Sequence, residues 1–276
     1  MVDDIKLSKD GSKKYLFKLH DSLFTEAVYL PQADETMFCI SSQVGCPNKC
    51  RHCATSRISF KRDLSWKEIV GQYATISSYE KNESIVKLLF MGMGEPLLNY
   101  DNVVNAINNF KYYFGIKGEN ITLSTSGITT RFNEISKIIN RPRLAVSIHA
   151  ADGNKRDVLM PINKIFNLEN LINNVTEYIN TTNDNVIIEY TLLADFNDTE
   201  KDKIDLLLLL NHIKDKVEIQ LIPLNESKFV PYRRSKNISK FESFFRENGF
   251  TVFVKQSMGS DVDAGCGQLV AGIDVD

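Results

Sequence analysis

The sequence lacks the features of membrane, secreted and strongly basic proteins. No apolar run approaches the ~20 residues that cross a bilayer, and the N-terminus, Met-Val-Asp-Asp-Ile-Lys, has no apolar signal-peptide core. The formal net charge is −2, so no overall positive field attracts nucleic acid. The five cysteines are odd in number and three are clustered, unlike a secreted disulfide framework. We therefore expect a cytoplasmic protein without membrane contacts, in which any RNA contact comes from local patches.

The order of predicted strands and helices indicates the fold class. The 276 residues are 43% hydrophobic, which is enough to fill one large core. Strands are predicted at Thr36–Ser41, Ile85–Met91, Asn120–Ser124, Leu144–Ile148, Val186–Leu192, Val217–Ile222 and Thr251–Val254. Helices are predicted at Ser65–Tyr79, Asp101–Phe114, Arg131–Asn140, Leu168–Asn180, Thr199–Ile213 and Ser239–Asn248. This alternation predicts an α/β fold, a partial or full (β/α) barrel of about six repeats with its helices outside.

Local signals refine this prediction. Ser65 and Glu68 form a capping-box pattern at the start of a helix, and Asn248-Gly249 is a stop signal at the end of another. Weak alternation over residues 14–30 predicts a β-hairpin. We expect residues 1–34 to form an N-terminal β-hairpin extension and residues 35–276 to form the barrel.

Three closely spaced cysteines, Cys46, Cys50 and Cys53, follow the first predicted strand. Three thiolates at this spacing suit a 4Fe–4S cluster, whose fourth iron then stays free to bind a reacting molecule. The alternative is a structural zinc site, which takes four ligands, often as two Cys-x2-Cys pairs. Only Cys50 and Cys53 make such a pair, so the spacing favours the cluster.

Short motifs also end the other predicted strands, where (β/α) barrels place their chemistry. These motifs are Gly92-Met-Gly-Glu-Pro96, Ser124-Thr-Ser-Gly127, Ser147-Ile-His149 and Leu221-Ile-Pro-Leu-Asn225. Taken singly, several of their residues have a structural interpretation. His149 would be a hydrogen-bonded core histidine, and Glu95 next to Pro96 would cap a helix. Cys39, within an apolar strand, would be a small buried hydrophobe.

Taken together, the motifs resemble those of radical S-adenosylmethionine enzymes that methylate adenine in RNA, the RlmN/Cfr type. The resemblance runs from about Lys13 to the C-terminus. The motifs that carry it are Cys39-Ile-Ser-Ser-Gln-Val-Gly-Cys46, Gly92-Met-Gly-Glu-Pro-Leu-Leu-Asn99, Leu123-Ser-Thr-Ser-Gly127, Ser147-Ile-His-Ala150, Met160-Pro-Ile-Asn163, Glu189-Tyr-Thr-Leu-Leu193 and Asp261-Val-Asp-Ala-Gly-Cys-Gly-Gln-Leu269. Their common order makes chance agreement implausible.

The resemblance implies the cofactors and the site residues. Cys46, Cys50 and Cys53 would bind a 4Fe–4S cluster, and two molecules of S-adenosyl-L-methionine would be used per turnover. The implied contacts of that cofactor are Gly94, Glu95, Ser124, Ser147, Ile148, His149 and Asn225. Cys266 would carry a methyl group, Cys39 would resolve a covalent intermediate and Glu26 would be the proton acceptor.

The resemblance also implies a reaction sequence. One S-adenosylmethionine methylates the Cys266 thiolate, and a second is cleaved at the free iron to a 5′-deoxyadenosyl radical. That radical takes a hydrogen atom from the methyl group on Cys266, and the carbon radical so formed adds to adenine. Cys39 then displaces the protein from the product and leaves a Cys39–Cys266 disulfide, which a reductant reopens. Because Cys266 lies between Gly265 and Gly267, we expect its segment to be flexible.

The implied partners are an RNA substrate, rRNA and/or tRNA, and an electron donor such as flavodoxin or ferredoxin, for a monomeric enzyme. Two basic stretches are candidates for RNA contact, although a solvated surface is the alternative interpretation. They are Arg51, Arg57, Lys61 and Arg62, and Arg233, Arg234 and Lys236.

The sequence departs from the family pattern in two places. His52 stands where the family usually has an aromatic residue, often Phe, and the sequence lacks the N-terminal helical domain with which family members grip RNA. The motifs at Gly94 and Ser124 favour carbon 2 of adenine as the target. The alternatives are carbon 8, another RNA or non-RNA substrate, or a non-catalytic zinc protein that binds RNA.

Overall fold

The structure is a computed structural model that describes residues 1–80 and 84–270. The strands are β1 (Val2–Leu7), β2 (Lys13–Lys18), β3 (Phe24–Pro31), β4 (Glu35–Cys39), β5 (Gln43–Val44), β6 (Arg62–Asp63), β7 (Ile85–Phe90), β8 (Ile121–Thr125), β9 (Arg143–Ser147), β10 (Val186–Leu192), β11 (Val217–Pro223) and β12 (Thr251–Val254). The α-helices are α1 (Trp66–Tyr79), α2 (Tyr100–Phe114), α3 (Phe132–Ile135), α4 (Gly153–Leu159), α5 (Leu168–Thr182), α6 (Glu200–Leu210) and α7 (Ile238–Glu247).

One sheet organises the fold, in the order β1-β2-β3-β4-β7-β8-β9-β10-β11-β12. Every pair from β4 to β12 along this order is parallel, which confirms the α/β class predicted from strand and helix alternation. Strands β1 and β12 are the edges, so the described residues form the partial barrel and not the closed one. No helix of the described residues is long and apolar enough to span a membrane.

The bounds of most predicted elements are confirmed within a few residues. Strands β10 and β12 have the predicted bounds, and the capping box at α1 is present, with Ser65 Oγ accepting from the backbone N–H of Glu68. The predicted helix over residues 131–140 is wrong in length, because α3 ends at Ile135. The N–H groups of Lys137 and Ile138 then donate to carbonyls three residues back, which tightens the chain into turns.

The N-terminal strands continue the main sheet. Strands β2 and β3 form the predicted hairpin, and β3 pairs antiparallel with β4, the first strand of the parallel part. Tyr15, Phe17, Ala27 and Tyr29 are buried in the same hydrophobic cluster as the barrel strands. Strand β1 was not predicted because its side chains are mostly exposed, which leaves no apolar alternation to recognise.

The chain after β12, residues 255–270, is called the C-terminal segment below. It bridges from the β12 edge to the loop between β1 and β2. The N–H of Gly259 donates to Asp10 Oδ2 over 2.7 Å, and Lys14 Nζ donates to the carbonyl of Asp263 over 3.1 Å. These contacts fix the part of the chain that carries Cys266. The predicted barrel range runs to residue 276, and residues 271–276 lie outside the described residues.

Candidate active site

A cleft lies at the carboxyl ends of the parallel strands, and it collects the residues that the motifs singled out. The predicted site residues among its lining are Cys46, Cys50, Cys53, Gly94, Glu95, Ser124, Ser147, His149, Asn225 and Cys266. Ile148 is completely buried, with its N–H on the Glu189 carbonyl and its own carbonyl accepting from Arg156. A ligand in the cleft would therefore meet the neighbours of Ile148 and not its side chain.

The three clustered cysteines share one wall of this cleft. Burial raises the pKa of the Cys46 thiol to about 12 and raises the pKa of Cys50 and Cys53 as well. Without a cation the thiols therefore keep their protons, whereas a bound metal would displace them and hold the thiolates. Within the described residues no three His, Cys, Asp or Glu side chains lie close enough to hold a single metal ion. Three thiols are a donor set that suits an iron–sulfur cluster, whereas a structural zinc site takes four ligands, so the residues present fit the cluster better.

Glu95 has a structural task in the cleft. Its Oε1 accepts from the N–H of Leu97, so Glu95 caps the short helix that begins at Pro96. The capping interpretation is confirmed. Its Oε2 accepts from the N–H and the hydroxyl of Ser126, both at 2.7 Å. Burial raises the pKa of Glu95 although these hydrogen bonds lower it. The contact of Glu95 with a cofactor ammonium stays a prediction. Such a contact would use the lone pairs of the carboxylate that these donors do not occupy.

Gly94 lets the chain pass close to Gln43. Its φ is +103°, and a Cβ at this position would lie 2.8 Å from the backbone nitrogen of Gln43. A side chain at this position would therefore displace Gln43. Because Gln43 Oε1 accepts from the N–H of Glu95, that hydrogen bond would be lost.

Glu189 is a site residue that was not predicted. It lies on β10 and is 3% exposed, and its Oε2 accepts from Ser124 Oγ over 2.5 Å and from Ser147 Oγ over 2.8 Å. Its Oε1 is buried in the cleft lining and has no hydrogen-bond partner in the described structure. A buried carboxylate oxygen without a donor is costly, so it marks a place where a ligand donor or cation would bind. The available signal was an acid inside a buried strand, at the start of the motif Glu189-Tyr-Thr.

His149 has a strained backbone and a fixed ring. Its φ is +55°, and Asn197 holds the turn by donating from Nδ2 to the His149 carbonyl over 2.6 Å. The ring accepts the N–H of Thr191 at Nδ1, which leaves the proton on Nε2. His52 packs edge-on against it with ring centroids 4.5 Å apart. The departure from the family pattern at His52 therefore places a second imidazole beside His149 in the cleft.

The loop that carries Cys266 is held by hydrogen bonds. Asn225 Nδ2 donates to the carbonyl of Cys266, and Ala54 N–H donates to the carbonyl of Gly267 over 2.7 Å. A Cβ on Gly265 would lie 2.7 Å from Asn225 Cγ, so this glycine is required for close approach. The two glycines thus have steric and conformational reasons here, and the expected flexibility of this segment stays a prediction.

Cys39 lies on the other side of Cys266, in the cavity inside the partial barrel. Both cysteines line this cavity, and Cys266 also lines the cleft of the clustered cysteines. Burial and then the neighbouring Cys266 raise the pKa of Cys39 to about 12, against Lys255, which lowers it. In the described structure all five cysteines are free thiols.

Glu26 lies outside the lining of both the cleft and the cavity. This buried residue on β3 forms an ion pair with Lys14, with 3.2 Å between Oε1 and Nζ, and its Oε2 accepts from the N–H of Val270. The structure therefore gives Glu26 a holding contact on the C-terminal segment. Its role as proton acceptor stays a prediction.

Arg156 is a second residue that the sequence did not single out. It is completely buried on α4 and donates to the carbonyls of Ser126, Ser147 and Ile148, which ties the ends of β8 and β9 together. Burial lowers its pKa to about 10, and the Cys50 thiol raises it. Helix α4 is too short to give a strong apolar period, so neither the helix nor this arginine was predicted.

The first basic stretch contacts the chain that immediately precedes the second. Arg57 Nε donates to the carbonyl of Phe229, and the side chain of Arg51 lies against Tyr232. Acidic side chains pair with Arg62, through Asp21 and Glu68, and with Arg233, through Asp195. The exposed members that remain as candidates for phosphate contact are Arg51, Arg57, Lys61, Arg234 and Lys236.

Comparison with known proteins agrees with this geometry. Residues 40–207 match the radical SAM superfamily. The chain is 41% identical over 279 residues to the dual-specificity RNA methyltransferase RlmN of Buchnera aphidicola, which covers 96% of this chain and 77% of the relative. It is 38% identical over 272 residues to the protein of the same name from Desulfosudis oleivorans, covering 96% of this chain and 72% of that one. A crystal structure of a radical SAM methyltransferase from Sphaerobacter thermophilus superposes with a TM-score of 0.94 at 31% identity, over 98% of this chain and 81% of that one.

Proposed function

The chain belongs to the radical SAM superfamily and, within it, to the RlmN family of RNA methyltransferases, and on this premise we propose that it methylates carbon 2 of adenine in RNA through a methyl group carried by Cys266. The observation that carries the proposal is the position of Cys266. Cys266 lines both the cleft that contains Cys46, Cys50 and Cys53 and the cavity that contains Cys39. A carbon on this sulfur would therefore have the cofactor cleft and a second thiol as neighbours.

The family's cofactors fit the cleft. Three partly buried thiols, which become thiolates when a metal binds, and the unpartnered Oε1 of Glu189 offer negative charge to a positively charged occupant. A 4Fe–4S cluster held by Cys46, Cys50 and Cys53, together with S-adenosylmethionine, supplies the methyl group and the one-electron chemistry when bound. The Oε1 of Glu189 and the Oδ1 of Asn225 are buried acceptors without partners in the described structure, so we assign them to donors of the bound cofactor.

The chain's own thiols perform two steps. In the first, the Cys266 thiolate would attack the methyl carbon of S-adenosylmethionine, so that a bond forms from Sγ to carbon while the bond from that carbon to the sulfonium breaks and S-adenosylhomocysteine leaves. In the second, after the carbon on Cys266 has bonded to adenine, the Cys39 thiolate attacks Cys266 Sγ and an S–S bond forms. The bond between Cys266 Sγ and carbon breaks, its electron pair stays on the carbon, and that carbon takes a proton. The two thiols are thereby oxidised to a disulfide, and an external thiol reductant restores them.

The remaining assignments concern substrates and partners. The relatives are named dual-specificity RNA methyltransferases, which supports two kinds of RNA substrate, and we take these to be rRNA and tRNA. The exposed basic residues beside the cleft would neutralise phosphates while an adenine is turned out of its stack into the cleft. A flavodoxin or ferredoxin as electron donor, a monomer and a cytoplasmic location complete the proposal.

The test uses anaerobically reconstituted protein with S-adenosylmethionine, reductant and RNA. We expect Cys266→Ala to form no methylated protein and no 2-methyladenosine, because the carrier sulfur is gone. Cys39→Ala should accumulate protein covalently linked to RNA, because the carbon–sulfur bond is then not broken. Denaturing gels detect the linked species, and nucleoside mass spectrometry detects the product.

The matched control is Cys39→Ala/Cys266→Ala, which should form no linked species because the link starts from Cys266. Free 2-methyladenosine at the normal rate from Cys266→Ala would exclude the carrier role. Free product at the normal rate from Cys39→Ala would exclude the resolving role.

A further inference from the structure

Lys255 lies in the cavity beside the two cysteines of the proposed reaction. It is the first residue after β12, and its N–H donates to the carbonyl of Leu221 over 2.9 Å, which fixes its backbone against β11. Its side chain lines the same cavity as Cys39 and Cys266, and its Nζ is 3.1 Å from the sulfur of Met91. The side chain is thus held at the wall of this cavity.

Three acidic groups face this ammonium from three different elements. They are Cys266 on the C-terminal segment, Glu189 on β10 and Cys39 at the end of β4. Cys266 and Glu189 raise the pKa of Cys39, whereas Lys255 lowers it. The Glu189 carboxylate also accepts hydrogen bonds from two serine hydroxyls.

This arrangement keeps Lys255 charged. Burial opposes the ammonium, but its acidic neighbours Cys266, Glu189 and Cys39 outweigh burial and raise the pKa of Lys255. Cys39 has the opposite problem, because burial disfavours its thiolate and only the thiolate can attack sulfur. The positive charge of Lys255 favours the charged form of Cys39.

We propose that Lys255 is a positioning residue whose ammonium stabilises the thiolate of Cys39 in the cavity that both residues line. The proposal rests on the roles of these two cysteines in the proposed function. The thiol proton leaves to water in the cavity, Lys255 keeps its own proton, and the positive charge then faces a thiolate. In the absence of this charge, Cys39 would attack Cys266 sulfur more slowly and the covalent link to the substrate would last longer.

The test measures thiol reactivity and not methylation. Cluster-reconstituted protein without S-adenosylmethionine is treated anaerobically with iodoacetamide between pH 7 and 10, and the alkylation rates of Cys39 and Cys266 are followed separately by peptide mass spectrometry. Loss of a nearby charge shifts a thiol pKa by about 1–2 units, and the greater intrinsic nucleophilicity of the more basic thiolate offsets about half of this. We therefore expect Lys255→Met to slow alkylation of Cys39 about 3- to 10-fold, with a rate that still rises with pH.

Two control variants separate charge from packing. Lys255→Arg retains the positive charge and should keep the Cys39 rate within about twofold of the normal rate. Lys87 lines the same cavity, but its ammonium donates to Asn120 over 2.8 Å, so Lys87→Met removes a cavity lysine away from the thiols. It should leave the rate unchanged.

The proposal is overturned if Lys255→Met alkylates Cys39 at the normal rate, if Lys255→Arg is slowed as much as Lys255→Met, or if Lys87→Met has the same effect. These outcomes are independent of whether the protein methylates RNA. A failure of the proposed function would appear as an absence of methyl on Cys266 in the unaltered chain, whatever the alkylation rates are.

Discussion

Glu95 and Glu189 are both buried carboxylates of the cleft, but their hydrogen bonds commit them differently. Both oxygens of Glu95 accept donors from the protein, whereas Glu189 uses only Oε2. Because a buried acceptor without a partner lowers stability, Glu189 gains more than Glu95 from a bound donor. At the scale of single residues, this difference indicates which acid is available to the cofactor.

Glu189→Gln should weaken binding of S-adenosylmethionine. A glutamine keeps one oxygen for the Ser124 and Ser147 hydroxyls but puts an NH2 group where Oε1 was. The loss of one charge-assisted hydrogen bond is about 1.5 kcal/mol, which corresponds to roughly a tenfold increase in Kd. Equilibrium binding to the reconstituted protein measures it.

The control for this prediction is Glu242→Gln on α7, which removes a surface carboxylate paired with Arg246 and should leave the Kd unchanged. If Glu189→Gln binds S-adenosylmethionine with the original affinity, the free oxygen has another use.

At the scale of elements, the C-terminal segment depends on the N-terminal strands. Asp10, just before β2, holds this segment at Gly259, and Lys14 on β2 holds it at Asp263. Glu26 on β3 holds it at Val270. Antiparallel strands that appear peripheral in the sequence therefore position the loop of Cys266.

Glu26→Gln should loosen the C-terminal segment. The substitution leaves Lys14 buried without its carboxylate and weakens the acceptor of the Val270 N–H. We expect hydrogen exchange in residues 259–270 to become about tenfold faster, as measured by mass spectrometry.

Glu80→Gln is the matched control. Glu80 pairs with Lys13, the neighbour of Lys14 on β2, and makes no hydrogen bond or ion pair with the C-terminal segment among the described residues. It should leave exchange in residues 259–270 unchanged. Unchanged exchange in Glu26→Gln would show that Glu26 does not hold the C-terminal segment.

The sequence was informative where the signal is local and uninformative where the contact is distant. Apolar runs bounded by polar residues predicted the bounds of β10 and β12. The motifs predicted ten site residues that the structure has in one cleft. The contact between Asp10 and Gly259 joins residues far apart in the chain, and no local pattern encodes it. Lys255 was not predicted for the same reason, since its neighbours come from three separate elements.

At the scale of the whole molecule, the open sheet makes the N-terminal strands part of one core. Tyr15, Phe17, Ala27 and Tyr29 pack in the same cluster as the barrel strands, and β3 is bonded to β4. The division into residues 1–34 and 35–276 therefore stays a prediction, with a shared hydrophobic core across the boundary.

Deletion of residues 1–34 should abolish cooperative folding. Each large buried side chain contributes about 1.5–3 kcal/mol, so three aromatic rings together approach the typical net stability of a domain. Thermal unfolding followed by circular dichroism tests this. Deletion of residues 2–7 is the control, because β1 is mostly exposed, and it should retain a sharp transition. A sharp transition in the longer deletion would show that residues 35–276 fold alone.

The most direct test of the central claim follows the hydrogens of the transferred methyl group. Reconstituted protein is supplied with S-adenosylmethionine whose methyl group is fully deuterated, and the RNA nucleosides are analysed by mass spectrometry. Transfer through Cys266 removes one deuterium from the methyl group while that group is bound to sulfur. It therefore predicts 2-methyladenosine with two deuterium atoms in its methyl group. A methyl group with all three, or product formed by Cys266→Ala, would contradict the account.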